Sequence, residues 1–174
     1  MQIRPFEAAD SQAVGEVLDK AFKRETERLI VTALRAADAD TLELVAEIDA
    51  QIVGEIMFSP ASGQTPLGED IFGLALGPVA VLPEFEKRGI GSALIDSGLD
   101  FIRQLGVPFC MLLGHPGFYS RFDFAPAAQS GWTWDKDPSG QYGDAFQLRV
   151  FDHQGLPDST VTASFHPAFD LDSA

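Results

Sequence analysis

The stretch of residues 71–114 constrains the fold more than any other part of the sequence. Residues 71–81 form a continuously apolar run, which is typical of a strand that is covered on both faces. An amphipathic helix follows from Gly89, ends at Gly106 and leads into a second buried strand from Pro108. Strand, helix and strand in this order predict a right-handed parallel crossover.

The other segments predict the elements that surround this crossover. Residues 10–22 form an amphipathic helical stripe, and Asp10 is expected to cap it by accepting the free amide hydrogens of the first turn. Alternating apolar residues on either side of Asp49 and Ala50 predict an antiparallel hairpin. We also expect a helix at 29–34, a short helix at 116–124, strands at 2–6, 146–151 and, from a weaker pattern, 159–165, and a loop at 59–70. The tail after Phe169 has little to hold it.

Length and charge exclude several functional classes. The chain has 174 residues, which predicts one domain. Its 26 acidic and 12 basic residues give a net charge of -14, and such a surface repels nucleic acid and anionic lipid. No signal peptide or membrane-spanning run is visible, and the single cysteine, Cys110, permits neither an internal disulfide nor a multi-cysteine zinc site. We therefore expect a cytoplasmic protein with no nucleic-acid partner, no membrane partner and no metal.

A basic, glycine-containing turn joins the first strand of the crossover to its helix. Backbone amides at a helix start lack partners, and the helix dipole adds partial positive charge, so an anion is favoured there. Gly89 and Gly91 leave those amides uncovered, and Lys87 and Arg88 add positive charge. The turn matches neither a Walker A loop nor, because of Leu94, the dinucleotide fingerprint. It predicts a pyrophosphate cradle, with a plain strand-to-helix turn as the alternative.

Two motifs resemble those of the GNAT superfamily of N-acetyltransferases. The run Glu86-Lys-Arg-Gly-Ile-Gly91 is similar to the family pattern of Gln or Arg, two residues, Gly, one residue, and Gly or Ala. The run Tyr119-Ser-Arg-Phe-Asp-Phe124 is similar to the family signature Tyr-x-x-Phe-Gly-Phe. The order of elements also agrees as far as about residue 151. The resemblance thus implies an acetyltransferase domain over residues 1–151, followed by a C-terminal extension over 152–174 with a final strand and a tail.

The fold that this resemblance implies is an α/β fold with a mixed, twisted and mostly antiparallel sheet. Helices flank the sheet, and acetyl-CoA lies where it splays between its fourth and fifth strands. Pro78 interrupts the apolar strand where the family's fourth strand bulges, which agrees with the inability of proline to donate to a ladder. Backbone groups of Val79 and Val81 would pair with the pantetheine arm. The implied cofactor-binding residues are Val79, Ala80, Val81, Glu86, Lys87, Arg88, Gly89, Ile90, Gly91 and Ser92.

Three side chains are candidates for catalysis. Tyr119 matches the family tyrosine that protonates the departing thiolate, and the alternative is a ring that only packs beside neighbouring phenylalanines. His115 has a side chain that can deprotonate an ammonium, although a structural histidine bonded to backbone is the favoured interpretation. Glu55, in the third strand, is a further base or ammonium ligand, against the favoured interpretation of a solvated or paired carboxylate.

The sequence therefore predicts an acetyl-CoA-dependent N-acetyltransferase that acts on a small-molecule or peptide amine in a ternary complex. Homodimers occur in this family, so the resemblance is compatible with a homodimer. The alternative is a non-catalytic acyl-CoA-binding or regulatory module with the same fold. Glu86 and Asp123 favour this alternative because they replace residues typical of the family, whereas Tyr119 and the glycines of the turn favour an enzyme.

Overall fold

A computed structural model describes residues 1–173 and places strands and helices in the predicted order. The strands are β1 (Gln2–Pro5), β2 (Leu42–Ile48), β3 (Gln51–Gln64), β4 (Asp70–Val81), β5 (Phe109–Leu113), β6 (Ala125–Pro126), β7 (Trp132–Trp134), β8 (Phe146–Val150) and β9 (Val161–Phe165). The α-helices are α1 (Ser11–Phe22), α2 (Thr26–Ala36), α3 (Ile90–Gln104) and α4 (Pro116–Tyr119). None of these helices combines the length and the apolar character that a bilayer crossing requires.

The described residues fall into two units. The first contains residues 1–59, 76–102 and 167–173, and the second contains residues 60–75 and 103–166. The sheet is mixed: β4 pairs with β5 in parallel, as β7 does with β9, whereas β1–β2, β2–β3, β3–β9, β5–β8 and β6–β8 are antiparallel pairs. The predicted α/β fold with a mostly antiparallel mixed sheet is confirmed.

In the first unit, the hairpin of β2 and β3 has the predicted tight turn. Asp49 and Ala50 adopt φ angles of 50° and 62°, the left-handed conformation of two-residue hairpin turns. Cross-strand partners in this ladder are Glu43 with Met57 and Val45 with Glu55, so these four side chains share one face of the sheet. Arg35 of α2 bonds to Glu43, which places α2 over this face.

The opposite face of β3 packs against α3. A Cβ atom added to Gly54 would lie 3.1 Å from a methyl carbon of Leu94 and 3.2 Å from one of Ile90. Further along, the ring of Phe58 lies against Gly98. Ile90, Leu94 and Leu99 are almost inaccessible to solvent, whereas Phe101 and Leu105, which belong to the apolar stripe that the sequence pattern predicts, are 47% and 56% exposed. The predicted burial therefore holds for only part of the stripe.

In the second unit, the parallel ladder joins Leu74 to Cys110 and Ala75 to Met111. It links the strands that precede and follow α3, which confirms the crossover predicted from residues 71–114. The core of this unit contains an edge-to-face pair of Phe109 and Trp132, with ring centroids 4.7 Å apart.

Two local predictions are wrong. Residues 59–70 do not form a loop throughout, because β3 continues to Gln64 and pairs from Ala61 with β9. Asp10 precedes α1 but makes no capping bond to it. Its carboxylate accepts hydrogen bonds from Arg4 and from the Glu7 amide instead, and the charged guanidinium is the stronger donor.

Two other sequence features also behave differently from expectation. β4 continues as a strand through Gly77 and Pro78, which were expected to interrupt it. Gly77 has a φ of 144°, a conformation that favours glycine. The segment after Phe165 continues as a turn of 3₁₀ helix from Pro167, which contacts α2 in the first unit.

The two glycines inside α3 provide a test of its packing. We expect Gly98→Ala to lower the free energy of unfolding by about 1–3 kcal/mol, because the new methyl group would lie 2.6 Å from Phe58 Cζ. Gly91→Ala is the matched control: its Cβ would meet only Val81 at 3.7 Å, and alanine should stabilise the helix by up to about 1 kcal/mol. Urea denaturation of both variants measures the difference, and equal effects would contradict the described packing of α3 on β3.

Candidate active site

The first turn of α3 is the anion-binding feature that the sequence predicts. The helix begins at Ile90, and its first bond runs from the Ala93 amide to the Gly89 carbonyl at 2.9 Å. The amides that precede Ala93 in this turn have no acceptor within the helix, and the helix dipole places about half a positive charge there. Residues 86–89, which lead into this turn, are exposed, and Gly91 and Ser92 are half-buried, whereas the side chain of Ile90 is buried.

The two glycines of this turn differ in what the protein itself requires. Gly89 has a φ of 80°, so a side chain at this position would strain the backbone. Gly91 has an ordinary conformation, and a Cβ there would make only an ordinary contact with Val81. The fold therefore explains a glycine at 89, whereas it tolerates a methyl group at 91.

The charged residues of the turn lie at the surface. Lys87 has a φ of 60°, an uncommon left-handed conformation for a residue with a side chain. Arg88 donates to the carbonyl of Glu84 at 2.9 Å and stacks 5.0 Å from the ring centroid of Phe85. The Arg88 guanidinium is thus held by the turn that it belongs to. Glu86 is exposed and extended, with a φ of -61° and a ψ of 159°.

The end of β4 presents backbone groups on the edge away from β3. Leu82 donates its amide to the Val53 carbonyl at 2.9 Å, and the Ala80 carbonyl lies beside Gly54. Since backbone groups alternate along a strand, those of Val79 and Val81 point to the other edge. The parallel ladder with β5 joins β4 at Leu74 and Ala75, before this segment is reached.

Tyr119 lies at the end of α4 in the second unit, and its ring rests on the backbone of Gly114. A Cβ added to Gly114 would lie 2.8 Å from Tyr119 Cδ2, so only glycine fits there. Phe118 and Phe124 make edge-to-face contacts with the ring, at centroid distances of 4.9 Å and 6.0 Å. Desolvation raises the pKa of Tyr119 to about 12, so its hydroxyl keeps its proton at neutral pH and can donate a hydrogen bond.

His115 and Asp123 lie at the two ends of the segment that carries Tyr119. His115 is exposed, its side chain makes no capping bond to α4, and its carbonyl accepts the Phe118 amide at 3.0 Å. The favoured interpretation of a structural side chain bonded to backbone therefore receives no support. Asp123 has a φ of 61°, so it adopts the conformation for which a glycine is suited, and the turn forms without glycine.

Glu55 is fully buried in the first unit, on the face of β3 covered by α2. Both carboxyl oxygens lack a hydrogen-bond partner among the described residues, so the expectation of a solvated or paired carboxylate is wrong. Burial raises its pKa well above the usual value; the negative charge of Glu43 raises the pKa further, and Arg35 partly opposes both. Arg35 is itself bound to Glu43, and within the part of the chain that the structure describes Glu55 has no ion-pair partner.

Gln147 was missed by the sequence analysis. It lies in β8 and is only 1% exposed, and its Nε2 donates to the Gly114 carbonyl at 2.9 Å. A polar residue between Phe146 and Leu148 matches the outward position of an alternating strand, so the pattern does not reveal a buried amide. The one available signal was its position in β8, the strand that follows the segment containing His115 and Tyr119.

The predicted residues are thus distributed over both units. The cofactor-binding residues, 79–81 and 86–92, lie together in the first unit with Glu55, whereas His115 and Tyr119 lie in the second. A groove of about 560 Å³ between α1 and α2 contains none of them, and its Arg28 is paired with Asp19. Among the described residues, no cluster of three or more His, Cys, Asp or Glu side chains is arranged to hold a metal ion.

Comparison with known sequences gives one consistent assignment. The family model of the acetyltransferase (GNAT) domain matches residues 2–127. The chain is 31% identical to the uncharacterized N-acetyltransferase YhbS of Escherichia coli K12, over 97% of this chain and 98% of that protein.

Comparison with solved structures agrees. The crystal structure of Escherichia coli YhbS in complex with CoA matches with a TM-score of 0.86 and 29% identity, over 97% of this chain and 91% of that chain. A GNAT family acetyltransferase from Brucella melitensis in complex with acetyl-CoA matches with a TM-score of 0.76 and 36% identity, over 97% of both chains.

The buried carboxyl group of Glu55 predicts a pH-dependent stability difference. Because folding raises its pKa, the unfolded chain loses this proton at lower pH, and the wild type becomes less stable as pH rises above about 4.5 towards the folded pKa. Glu55→Gln removes this proton linkage. Its stability relative to wild type should therefore improve from about pH 5 to about pH 8, by at most about 1.4 kcal/mol per pH unit.

Denaturant titrations at both pH values measure this difference. The exposed Glu84, substituted as Glu84→Gln, serves as the control and should show a smaller change with pH. A stability difference between Glu55→Gln and wild type that is the same at both pH values would show that the Glu55 pKa does not change on folding.

Proposed function

Because the chain belongs to the GNAT family of acetyltransferases, we propose that it transfers an acetyl group directly from acetyl-CoA to a primary amine, within one ternary complex. The chain is an acetyl-CoA-dependent acyltransferase, and we propose in addition that its acceptor is an amine of a small molecule or a peptide. The observation that carries it is the first turn of α3, which follows the exposed residues 86–89 and is entered through left-handed Lys87 and Gly89.

The pyrophosphate of acetyl-CoA fits the chemistry of this turn. Free amides at a helix start bind anions without requiring a charged side chain, and they do so in a protein whose net charge of -14 would otherwise repel phosphates. The backbone edge at Val79 and Val81 would bind the amide groups of the pantetheine arm as an added strand binds a sheet. Solved relatives bind CoA and acetyl-CoA, which supports this use of the turn.

The reaction requires a neutral amine and a proton for the leaving sulfur. The amine nitrogen attacks the thioester carbonyl, a carbon–nitrogen bond forms, and the carbon–sulfur bond breaks. We assign the proton that the thiolate receives to the hydroxyl of Tyr119, which is held on Gly114 and stays protonated at neutral pH.

We assign the removal of the ammonium proton to His115 in preference to Glu55. His115 is exposed, so an acceptor can approach it directly or through water. Glu55 is fully buried, and its raised pKa favours the neutral acid, which cannot accept a proton. Glu55 can therefore act as a base only in a conformation that exposes it to solvent.

Asp123 no longer supports the alternative of a non-catalytic module, because its left-handed conformation preserves the turn. A cytoplasmic location, a homodimer and the division of the chain at residue 151 stay predictions from the sequence.

Acetyl-CoA binding tests the cradle. Calorimetry should show saturable binding to the wild type and no binding to Gly89→Asp, which adds strain, bulk and a negative charge at a φ of 80°. Gly91→Ala is the matched control: it should bind within a few-fold of wild type, because the family pattern accepts alanine at this position and its methyl group would meet only Val81 at 3.7 Å.

Gly91→Ala serves as the control because the protein tolerates this methyl group. Unchanged acetyl-CoA affinity in a folded Gly89→Asp variant would contradict the placement of the pyrophosphate on this turn. In the same titration, Glu86→Gln should bind more tightly, since it removes a negative charge next to the cradle; an unchanged affinity would mean that the carboxylate points away.

Tyr119→Phe tests the proton donor. The substitution keeps the ring contacts with Phe118 and Phe124 and removes only the hydroxyl. We expect kcat to fall by about 10²-fold or more, with acetyl-CoA affinity within a few-fold of wild type. Steady-state rates with a screened amine acceptor and a binding isotherm measure both quantities. Wild-type turnover in the variant would show that Tyr119 only packs.

A further inference from the structure

Gln147 carries a buried side-chain amide between two buried apolar residues of β8. Its neighbours in β8, Phe146 and Leu148, are buried apolar residues, and an apolar side chain at 147 would fill the same space without a polar cost. The Gln147 Nε2 atom donates to the Gly114 carbonyl at 2.9 Å, whereas its Oε1 atom is buried without a partner among the described residues. Among the described residues, the hydrogen bond to Gly114 is therefore the one that this side chain makes.

Gly114 is held through both of its backbone groups. Its amide donates to the Ala145 carbonyl at 2.9 Å, and its carbonyl accepts from Gln147. Its Cα is the surface on which the ring of Tyr119 lies, since a Cβ would collide with that ring. The position of the Tyr119 ring thus depends on the position of Gly114, and Gly114 is fixed from β8 and the turn that precedes it.

A second contact from β8 reaches the other end of the same segment. Arg149 donates from Nη1 to the Phe122 carbonyl at 3.0 Å. Both Gln147 and Arg149 therefore bond to backbone carbonyls that flank Tyr119, but only Gln147 bonds to the residue on which the ring rests. Arg149 also lies 3.5 Å from the Asp123 carboxylate, so Arg149→Met removes an ion pair as well as this hydrogen bond and provides a comparison for the loss of contacts between β8 and this segment.

We propose that Gln147 is a positioning residue for Tyr119, acting through its hydrogen bond to Gly114. It fixes the glycine against which the ring packs and thereby fixes the position of the phenol hydroxyl. This inference rests on the proposed role of Tyr119 as the proton donor. It assigns to Gln147 an effect on turnover, with no direct contact to substrate.

The test is a double-mutant cycle between Gln147 and Tyr119. Gln147→Met keeps the volume and removes the hydrogen bond, so kcat should fall about tenfold or more, while KM for acetyl-CoA stays within about threefold. In a Tyr119→Phe background, the same substitution should change kcat by less than about twofold, because the hydroxyl that it positions is absent. Arg149→Met should have a smaller effect on kcat than Gln147→Met in the wild-type background.

Equal losses of kcat for Gln147→Met in both backgrounds would overturn the inference, as would wild-type kcat in that variant. These results differ from a failure of the proposed function, which would appear as no acetyl transfer by the wild type or full turnover in Tyr119→Phe; either of those results would overturn both.

Gln147→Glu gives a second measurement with a side chain of the same length. Burial favours its neutral acid, which can still donate to the Gly114 carbonyl. Its kcat at neutral pH should therefore stay within about threefold of wild type. A loss of kcat of about tenfold or more in a folded Gln147→Glu variant would overturn the inference even if Gln147→Met does not fold.

Discussion

The unpaired amides at the start of α3 are the constraint on which the rest of the account depends. A net charge of -14 does not favour a pyrophosphate, so we propose that the local backbone dipoles of this turn, with Lys87 beside them, attract it. Those dipoles are useful only if the helix start is fixed. The packing of Ile90 and Leu94 against Gly54, and of Gly98 against Phe58, supplies that fixation from the opposite side of the helix.

The second unit positions its catalytic candidate by the same means, a close approach to glycine backbone. Tyr119 lies on Gly114 as α3 lies on Gly54, and in both places a methyl group would displace the neighbour. The contrast lies in the environment of the acids. Burial raises the pKa of Tyr119 and that of Glu55. The phenol therefore stays protonated and can donate a hydrogen bond, whereas the carboxyl group stays neutral and cannot act as a base.

The sequence was informative wherever the determining contacts are local. The hairpin at Asp49, the crossover and the glycine turn follow from patterns within a few residues, and the structure has them all. It failed where a distant partner decides. The Gly- and Ser-rich end of β3 is a strand because β9, which lies about a hundred residues later in the chain, pairs with it from Ala61. Asp10 accepts a hydrogen bond from Arg4 rather than capping α1. Alternation placed Glu55 on a strand but could not show that helices cover it.

Hydrogen exchange of the wild type with and without acetyl-CoA tests the central claim most directly, because it reports on individual backbone amides and needs no acceptor. We expect acetyl-CoA to slow hydrogen exchange at residues 87–92 and at Val79 and Val81, because the ligand would form hydrogen bonds to the backbone there. Free CoA should give the same protection at 87–92, since it carries the same pyrophosphate. Binding of acetyl-CoA without protection of residues 87–92 would contradict the claim that the start of α3 holds the cofactor.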